Sequence, residues 1–254
     1  MPDLRRAAVL GSPIEHSLSP VLHTAAYAAL GLTGWIYTAI ECDEAGLPAL
    51  IASRGREWAG LSLTMPLKRA VLPLLDRTEP LAVEVGGANT VVFAPRMVAP
   101  GGAGATACAA LAALRETGLA SAVVMVRDRA RAGDLLAAAG RLGVEVDLQP
   151  FGSEVRDGDL LVSTVPAGAA DFYAERAGGS RPGPAAVLDV VYAPWPTPLA
   201  QAAAKSGAVV VSGFDLLLHQ AARQVELMTG LTPAPLTQMR AVGEAELTRR
   251  AAMA

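Results

Sequence analysis

Two serines near the start of the sequence have the type and the spacing to hold an anionic ligand. Ser17 and Ser19 flank one apolar residue in a segment that follows the first predicted strand and opens a helix. Pro20 fits the first position of that helix, where its missing N–H is not needed. Hydroxyl groups at a helix N-terminus can bind a carboxylate or a hydroxyl-bearing ligand. The two residues alone are also compatible with a capping serine and an exposed neighbour.

A lysine and an amide lie beside two further predicted strands. Ser62 and Thr64 alternate at the end of one strand and therefore share a face, and Lys68 follows shortly after. An ammonium group in a partly desolvated cleft can lose a proton near neutral pH and stabilise a developing alkoxide. Asn89 places an amide at the start of another strand. Taken singly, Lys68 is typical of a solvated surface lysine and Asn89 of an ordinary turn.

A turn of small residues, 101–107, leads directly into a helix rich in Ala and Leu. Free N–H groups in such a turn can bind a pyrophosphate, although an Ala-rich chain also produces such turns by chance. The next predicted strand, Ala122–Val126, ends in Arg127, with Arg131 close behind, where an NAD-binding fold carries an acidic residue. A guanidinium there would pair bidentately with a 2′-phosphate. The pattern favours NADP over NAD, because a solvated arginine cluster is disfavoured near a helix start.

These residues must be positioned by a repeated β-α pattern, because short apolar runs alternate with longer stretches of helical period. The predicted strands are Ala7–Gly11, Trp35–Glu41, Trp58–Thr64, Asn89–Phe93, Ala122–Val126, Val144–Leu148, Asp159–Ser163, Ala186–Val190 and Val209–Val211. The predicted helices are Ser19–Leu30, Asp43–Arg54, Leu67–Leu75, Arg77–Val85, Cys108–Glu116, Asp128–Leu142, Phe214–Met228 and Leu236–Ala252. Pro95 and Pro100 mark a boundary, and the sequence predicts an α/β fold with two domains.

Composition and charge exclude several classes of protein. Of the 254 residues, 52% are apolar and 18% are charged, which excludes a disordered chain. The net charge of −3, without a basic block, argues against a nucleic-acid or anionic membrane partner. Cys42 and Cys108 have neither metal nor redox spacing, and the three histidines form no cluster in the sequence, so no metal is expected. No apolar run has the length of a membrane helix, and we expect a soluble, cytoplasmic protein.

These motifs occur together in the order found in the shikimate dehydrogenase family, which the chain resembles along almost its whole length. The matching segments are Gly11-Ser12-Pro13-Ile14 with Ser17-Leu18-Ser19-Pro20, Ser62–Lys68, Gly87-Ala88-Asn89-Thr90-Val91-Val92, the turn 102–107, Val191–Leu199, and Gly213–Gln220 with Thr229-Gly230. Ser62 stands for the family's asparagine and Leu67 for its aromatic residue. Leu216 stands where the family usually has a methionine beside the nicotinamide, a change that conserves volume.

The resemblance implies a role for each matching residue. Lys68 matches the catalytic lysine, which transfers a proton at the hydroxyl being oxidised. The residues implied to hold the substrate are Ser17, Ser19, Thr64, Asn89, Tyr192 and Gln220. The residues implied to bind NADP are Gly102, Ala103, Gly104, Ala105, Thr106, Arg127, Arg131, Gly213 and Leu216.

The resemblance also implies an architecture and an activity. Residues 1–95 with 214–254 would form an N-terminal substrate-binding domain, because Gln220 must return to the substrate, and 96–213 a Rossmann-like NADP-binding domain. The implied reaction is the reversible reduction of 3-dehydroshikimate to shikimate by hydride transfer, in a monomer or homodimer. A quinate/shikimate dehydrogenase is the alternative, although the acidic residue that would favour it does not replace Arg127. A folate-type dehydrogenase leaves the paired serines unexplained.

One part of the family pattern is missing after Phe93. There the family continues with an Asn-Thr-Asp motif and a crossing helix, and that aspartate partners the catalytic lysine. Here residues 94–100 run directly into the glycine turn, so roughly 20 residues are absent. Either the molecule has a segment that the sequence omits, which the otherwise intact site favours, or the chain lacks it. In the second case an inactive protein that binds shikimate and NADP is expected.

Overall fold

The strands and helices follow the apolar runs of the sequence. The computed structural model describes residues 4–93, 106–153, 160–177 and 184–253. The strands are β1 (Arg5–Gly11), β2 (Trp35–Glu41), β3 (Trp58–Leu63), β4 (Thr90–Val92), β5 (Ser121–Val126), β6 (Glu145–Pro150), β7 (Leu160–Ser163), β8 (Ala186–Asp189) and β9 (Val209–Ser212). The helices are α1 (Ser19–Ala29), α2 (Leu47–Ala52), α3 (Leu67–Ala70), α4 (Pro80–Val85), α5 (Thr106–Glu116), α6 (Gly133–Leu142), α7 (Phe172–Ala177), α8 (Pro198–Lys205), α9 (Gly213–Thr229) and α10 (Leu236–Ala251). None of the described helices combines the length and the hydropathy needed to span a membrane.

The chain divides into two compact units. The first comprises Met1–Ala120, Asp134–Val144 and Leu218–Glu246, and the second comprises Ser121–Gly133, Glu145–Leu217 and Leu247–Ala254. Helix α5 and almost all of α6 therefore belong to the first unit, although both fall within the stretch 96–213 that the sequence assigns to nucleotide binding. The domain boundaries inferred from the sequence stay a prediction.

The first unit is built on a four-stranded sheet with the order β2-β1-β3-β4. The first three strands are parallel, and β4 runs antiparallel to β3. Val9 of β1 pairs with Ala39 on one side and with Ser62 on the other, so Ser62 lies on an inner strand of the sheet. Because side chains alternate along a strand, Ser62 and its neighbour Leu61 point to opposite faces.

One face of this sheet carries a hydrophobic core cluster of the first unit. Leu10 of β1, Leu61 and Leu63 of β3, and Leu67 of α3 are at most 2% exposed and belong to one cluster. Burying a leucine side chain contributes about 1.5–3 kcal/mol. This cluster anchors the elements on both sides of the loop that carries Thr64.

The second unit contains two hydrogen-bonded sheets, β5-β6 and β7-β8-β9, and all of their strand pairs are parallel. Its core joins Tyr173 of α7, Val187 of β8 and Leu199 of α8. Thr197 caps α8, because its Oγ1 accepts a hydrogen bond from a backbone N–H of the first turn at 3.1 Å. The same hydroxyl donates to Oδ2 of the buried Asp189 at 2.7 Å, which gives that carboxylate a partner.

Both cysteines belong to the first unit and are buried. Cys42 follows β2 and Cys108 lies in α5, with 6% and 1% of their surfaces exposed, and both are free thiols. Burial raises the pKa of each thiol. Both groups therefore behave as small core residues in the folded chain.

The predicted α/β class is confirmed, and each predicted strand has a counterpart, whereas several helices need correction. The predicted helix Asp43–Arg54 is shortened to α2, because Oδ1 of Asp43 accepts from the Gly46 N–H at 2.8 Å and closes a preceding turn. The predicted helix Asp128–Leu142 divides into a 3-10 turn, Arg129–Ala132, followed by α6. Helices α7 and α8 were not predicted, although Thr197 followed by proline is a helix-start signal.

Candidate active site

The N-terminus of α1 presents the two serines predicted from the sequence. Ser17 is half-buried, and its Oγ accepts a hydrogen bond from the backbone N–H of Ser19 at 3.3 Å. Ser19 begins α1, and its side chain is buried. The first turn of α1, which is described throughout, contains no acidic residue that would compensate the positive end of the helix dipole. This arrangement suits an anionic group, which the Ser17 hydroxyl proton can contact.

Beside Ser19 lies a buried polar layer that sequence reasoning missed. The Tyr37 hydroxyl on β2 donates a hydrogen bond to Ser62 Oγ on β3, 2.7 Å away. The Tyr37 ring stacks on His23 of α1, with centroids 3.8 Å apart and planes at 17°. Burial lowers the pKa of His23 to about 3, only partly opposed by Gln224, so the imidazole is neutral at physiological pH. Burial also raises the pKa of Tyr37 far above its usual range, and the layer therefore carries no charge.

Gly11 allows the serine-bearing loop to approach the loop after β3. A Cβ on Gly11 would overlap Thr64 Cγ2 and would lie 3.0 Å from the carbonyl oxygen of Met65. The backbone N–H of Ser12 donates to that same carbonyl at 3.0 Å. A glycine is therefore required for the hydrogen bond that holds the two loops together.

Lys68 lies half-buried on the short helix α3, next to the fully buried Leu67. Its backbone carbonyl accepts a hydrogen bond from the Ala88 N–H at 2.7 Å, which ties α3 to the turn before β4. Burial lowers the pKa of the amine, because desolvation penalises the ammonium form. Across the described residues, no carboxylate lies within ion-pair distance of Lys68. An amine in this environment can exchange a proton with a bound ligand.

A chain of hydrogen bonds connects α9 to the start of β4. Gln220 Oε1 accepts from Asn89 Nδ2 at 3.1 Å, and the Thr90 hydroxyl donates to Asn89 Oδ1 at 2.7 Å. Gln224 Nε2 donates both to the Asn89 carbonyl oxygen, at 3.2 Å, and to Thr90 Oγ1, at 3.1 Å. Helix α9 thus brings two predicted substrate residues, Asn89 and Gln220, into direct contact across 131 positions of sequence.

The structure describes only the end of the predicted pyrophosphate turn. Gly102, Ala103, Gly104 and Ala105 lie outside the described residues. Thr106 is the first residue of α5. The buried residues of α5 include Leu111, so the helix that follows the turn is packed along one face.

Two exposed arginines follow the end of β5 in the second unit. Arg127 comes directly after the strand, and its guanidinium lies over the ring of Phe151, 5.2 Å from the centroid. Arg131 lies in the 3-10 turn Arg129–Ala132. In the part of the chain that the structure describes, neither forms an ion pair. Both guanidinium groups are therefore available to a phosphate.

The remaining predicted residues also lie in the second unit, around the start of α9. A Cβ on Gly213 would overlap the Val190 carbonyl group, so the chain has no room for a side chain there. Leu216, almost one turn further on, is 40% exposed. Tyr192 is half-buried, and burial raises the pKa of its phenol, an effect partly opposed by the positive charge of Arg250.

The chemistry of these residues defines a class of protein. The first unit carries hydroxyls, amides and an amine of lowered pKa, and the second carries exposed guanidinium groups. Together they describe an α/β protein equipped for a small polar ligand and for a phosphate-bearing one. Within the described ranges, no group of three His, Cys, Asp or Glu side chains could hold a metal ion.

Family models, related sequences and solved structures that name shikimate dehydrogenases match this chain. The family model for the shikimate dehydrogenase substrate binding domain matches residues 9–91, and that for the shikimate 5'-dehydrogenase C-terminal domain matches residues 213–242. A shikimate dehydrogenase (NADP(+)) of Geobacter metallireducens is 33% identical, over 91% of this chain and 93% of that protein. In the crystal structure of Mycobacterium tuberculosis shikimate dehydrogenase, the sequence is 40% identical to this chain and the TM-score is 0.84. The match covers 95% of this chain and 99% of the other. A Thermus thermophilus shikimate 5-dehydrogenase in complex with NADP(H) and shikimate is 28% identical, with a TM-score of 0.70 over 95% and 99% of the two chains.

The chain belongs to the shikimate dehydrogenase family, because it covers nearly all of a relative that is more than 30% identical. The resemblance drawn from the motifs is confirmed. The predicted fold class, a substrate-binding domain combined with a Rossmann-like domain, is confirmed as well. The roles of individual residues stay predictions.

The interpretation that the sequence omits a segment after Phe93 stays a prediction. The 254-residue sequence is continuous, only 12 residues separate Phe93 from Thr106, and none of them is acidic. The aspartate that the family places there as a partner of the catalytic lysine is therefore absent from this position. The family membership and the missing aspartate must both be explained by any proposed function.

Proposed function

We propose that this chain is an NADP-dependent shikimate dehydrogenase, which interconverts 3-dehydroshikimate and shikimate in aromatic amino acid biosynthesis. The observation that carries the proposal is the contact between Asn89 and Gln220, at positions that match the family's substrate motifs. Lys68, with its lowered pKa, belongs to the same unit. Two relatives that are more than 30% identical to this chain are named shikimate dehydrogenase (NADP(+)).

The substrate carboxylate is held at the N-terminus of α1. Ser17 and Ser19 supply hydroxyl groups there, and the uncompensated helix dipole favours a negative charge. Asn89 and Gln220 contact the ring hydroxyls through their amide groups, and Thr64 and Tyr192 add hydroxyl contacts. This set fits a small acid that carries several hydroxyl groups.

Lys68 moves the proton of the reacting oxygen. When shikimate is oxidised, the neutral amine accepts the proton of the substrate hydroxyl. In the opposite direction the ammonium returns a proton to the developing alkoxide. Because burial lowers the pKa of Lys68, the neutral form is populated closer to neutral pH than in a free lysine.

The described residues fit NADP. Arg127 and Arg131 have no carboxylate partner within the described ranges, so both would hold the 2′-phosphate. The turn Gly102-Ala103-Gly104-Ala105-Thr106 would hold the pyrophosphate, and Gly213 and Leu216 would line the nicotinamide site. When bound, NADP supplies the hydride acceptor or donor.

The test is shikimate-dependent reduction of NADP+ by the purified chain, followed by the absorbance of NADPH. We expect turnover with shikimate and NADP+, and much slower turnover with NAD+ in place of NADP+. Faster turnover with quinate than with shikimate would instead support a quinate/shikimate dehydrogenase.

The missing aspartate favours one second candidate, a protein that binds shikimate and NADP without turnover. Titration calorimetry with each ligand separates the two candidates. Binding of both ligands without NADPH formation would support the inactive protein, and binding with turnover would show that Lys68 works without that aspartate.

The proposal includes an organisation and a location for the enzyme. Residues 1–95 with 214–254 form the substrate-binding domain, and 96–213 form the NADP-binding domain. We expect a cytoplasmic monomer or homodimer, and light scattering after gel filtration should give a mass of 26.0 kDa or twice that value.

A further inference from the structure

We propose that Thr90 and Gln224 are positioning residues, which fix the atoms that Asn89 and Gln220 present to a ligand. The inference rests on the proposed function, because it assumes that shikimate contacts those two amides. It follows from the direction of each hydrogen bond between α9 and β4.

The orientation of the Gln224 side-chain amide is set by the backbone carbonyl of Asn89. The carbonyl oxygen of Asn89 can only accept a hydrogen bond, and the nearest amide atom of Gln224 lies 3.2 Å from it. That atom must therefore be Nε2, and the same nitrogen lies 3.1 Å from Thr90 Oγ1. Thr90 consequently accepts from Gln224.

The Thr90 hydroxyl determines the orientation of the Asn89 side-chain amide. It donates its own proton to Asn89 Oδ1, 2.7 Å away, and a reversed Asn89 amide would leave this proton without that acceptor. Because Oδ1 accepts, the Nδ2 group of Asn89 faces Gln220, where it donates to Oε1 at 3.1 Å. Gln220 is thereby held with Oε1 occupied, and its Nε2 group has no hydrogen-bond partner among the described residues.

Burial prevents water from replacing this chain of contacts. Gln224 is 1% exposed, Thr90 is 7% exposed and Asn89 is 8% exposed. A reversed Gln224 amide would place Oε1 against the Asn89 carbonyl, so two acceptors would face each other away from solvent. The arrangement therefore has one stable direction.

The consequence is that the amide groups offer N–H donors to the ligand. One proton of Asn89 Nδ2 and both protons of Gln220 Nε2 remain after the internal bonds are counted. Donors of this kind select oxygen acceptors, such as the hydroxyl or carbonyl oxygens of a polyhydroxy acid.

The experiment measures shikimate binding by titration calorimetry in the wild-type chain and in Thr90→Val, which keeps the shape of the side chain and removes its hydroxyl. We expect the Kd for shikimate to rise about 10-fold, as for the loss of one ordered hydrogen bond. Thr90→Ser, which retains the hydroxyl, should stay within about 2-fold of the wild type. Equal binding by the wild type and Thr90→Val would overturn the inference.

Tyr27→Phe is a matched control. The Tyr27 hydroxyl is buried in the same unit and has no hydrogen-bond partner within the described part of the chain. Removing it changes a buried phenol without interrupting the chain of contacts, so the Kd should not change.

A double-mutant cycle separates positioning from general stability. In an Asn89→Ala background the oriented amide is gone, so Thr90→Val should cause no further loss of shikimate affinity. The same loss in both backgrounds would show a structural role and would overturn the inference. Gln224→Met interrupts the chain one step earlier, and it provides the same comparison if Thr90→Val does not fold.

The proposed function and this inference fail in different ways. A folded wild-type chain that does not bind shikimate contradicts the proposed function, and the inference falls with it. A wild-type chain that binds shikimate, with variants that bind it equally well, contradicts the inference alone.

Discussion

At the scale of single residues, Lys68 combines a half-buried position with a lowered pKa and lacks a carboxylate partner within the described ranges. A carboxylate near an amine stabilises the ammonium form and raises the pKa, so its absence leaves desolvation as the dominant effect. The missing aspartate therefore changes which form of Lys68, the proposed proton-transfer group, is populated. It makes the neutral amine easier to populate.

Lys68→Met should lower kcat by about 10²–10⁴-fold, the usual contribution of a general acid–base group. The Kd for NADP should be nearly unchanged, because Lys68 is not assigned to the cofactor. Steady-state kinetics and fluorescence titration with NADPH measure the two quantities. Lys205→Met, which alters an exposed lysine at the end of α8, is the control and should have wild-type activity.

The pH dependence follows from the direction of the Lys68 shift. The neutral amine is the base for shikimate oxidation, so kcat in that direction should rise with pH and level off above the lowered pKa. The inflection should lie below the value of about 10.4 for a free lysine. His23 cannot produce this inflection, because its pKa is lowered to about 3. A profile that still rises beyond the free-lysine value would contradict the assignment.

Arg127→Ala should weaken NADP binding much more than NAD binding, because only NADP carries the 2′-phosphate that the guanidinium would contact. The Kd values of both cofactors measured at one salt concentration provide the check. Arg129→Ala removes the same charge two residues away and should change the NADP Kd less. Equal losses of NADP and NAD affinity would exclude Arg127 as the 2′-phosphate residue.

At the scale of elements, the start of α9 is fixed by the close approach of Gly213 to the Val190 carbonyl. The helix that begins there carries Leu216 on one side of the unit boundary and Gln220 with Gln224 on the other. Helix α9 is thus the element on which residues proposed for the cofactor and for the substrate occur together.

Gly213→Ala should destabilise the protein by about 1–3 kcal/mol, the usual cost of overpacking, because the new methyl group meets backbone that cannot rotate away. Gly140→Ala is the matched control. Gly140 lies inside α6, and a Cβ added there would meet none of the described residues within 4 Å, so this change should stabilise by up to about 1 kcal/mol. Urea unfolding measures both, and equal effects would contradict the steric argument.

At the scale of the whole molecule, local sequence patterns predicted most strands and helices. The same patterns did not predict the side-chain contacts between residues far apart in the sequence. Each strand was identifiable because its apolar run is short and bounded by turn residues. The motif residues Ser17, Lys68 and Asn89 could be proposed from the sequence because each lies next to the start of a helix or a strand. The contacts of Tyr37 with Ser62 and of Gln224 with Thr90 join residues 25 and 134 positions apart, and no spacing in the sequence pairs them.

The reactivity of the two buried thiols can be used to measure local opening of the first unit. Cys42 and Cys108 both belong to the first unit, and thiolate formation is suppressed by their burial. Alkylation by an excess of a maleimide reagent should therefore be slow in the native chain and limited by transient exposure of that unit. If shikimate binds the first unit, saturating shikimate should slow the labelling further, as mass spectrometry over time would record. Unchanged labelling in the presence of bound shikimate would show that the openings that expose the thiols leave the ligand in place.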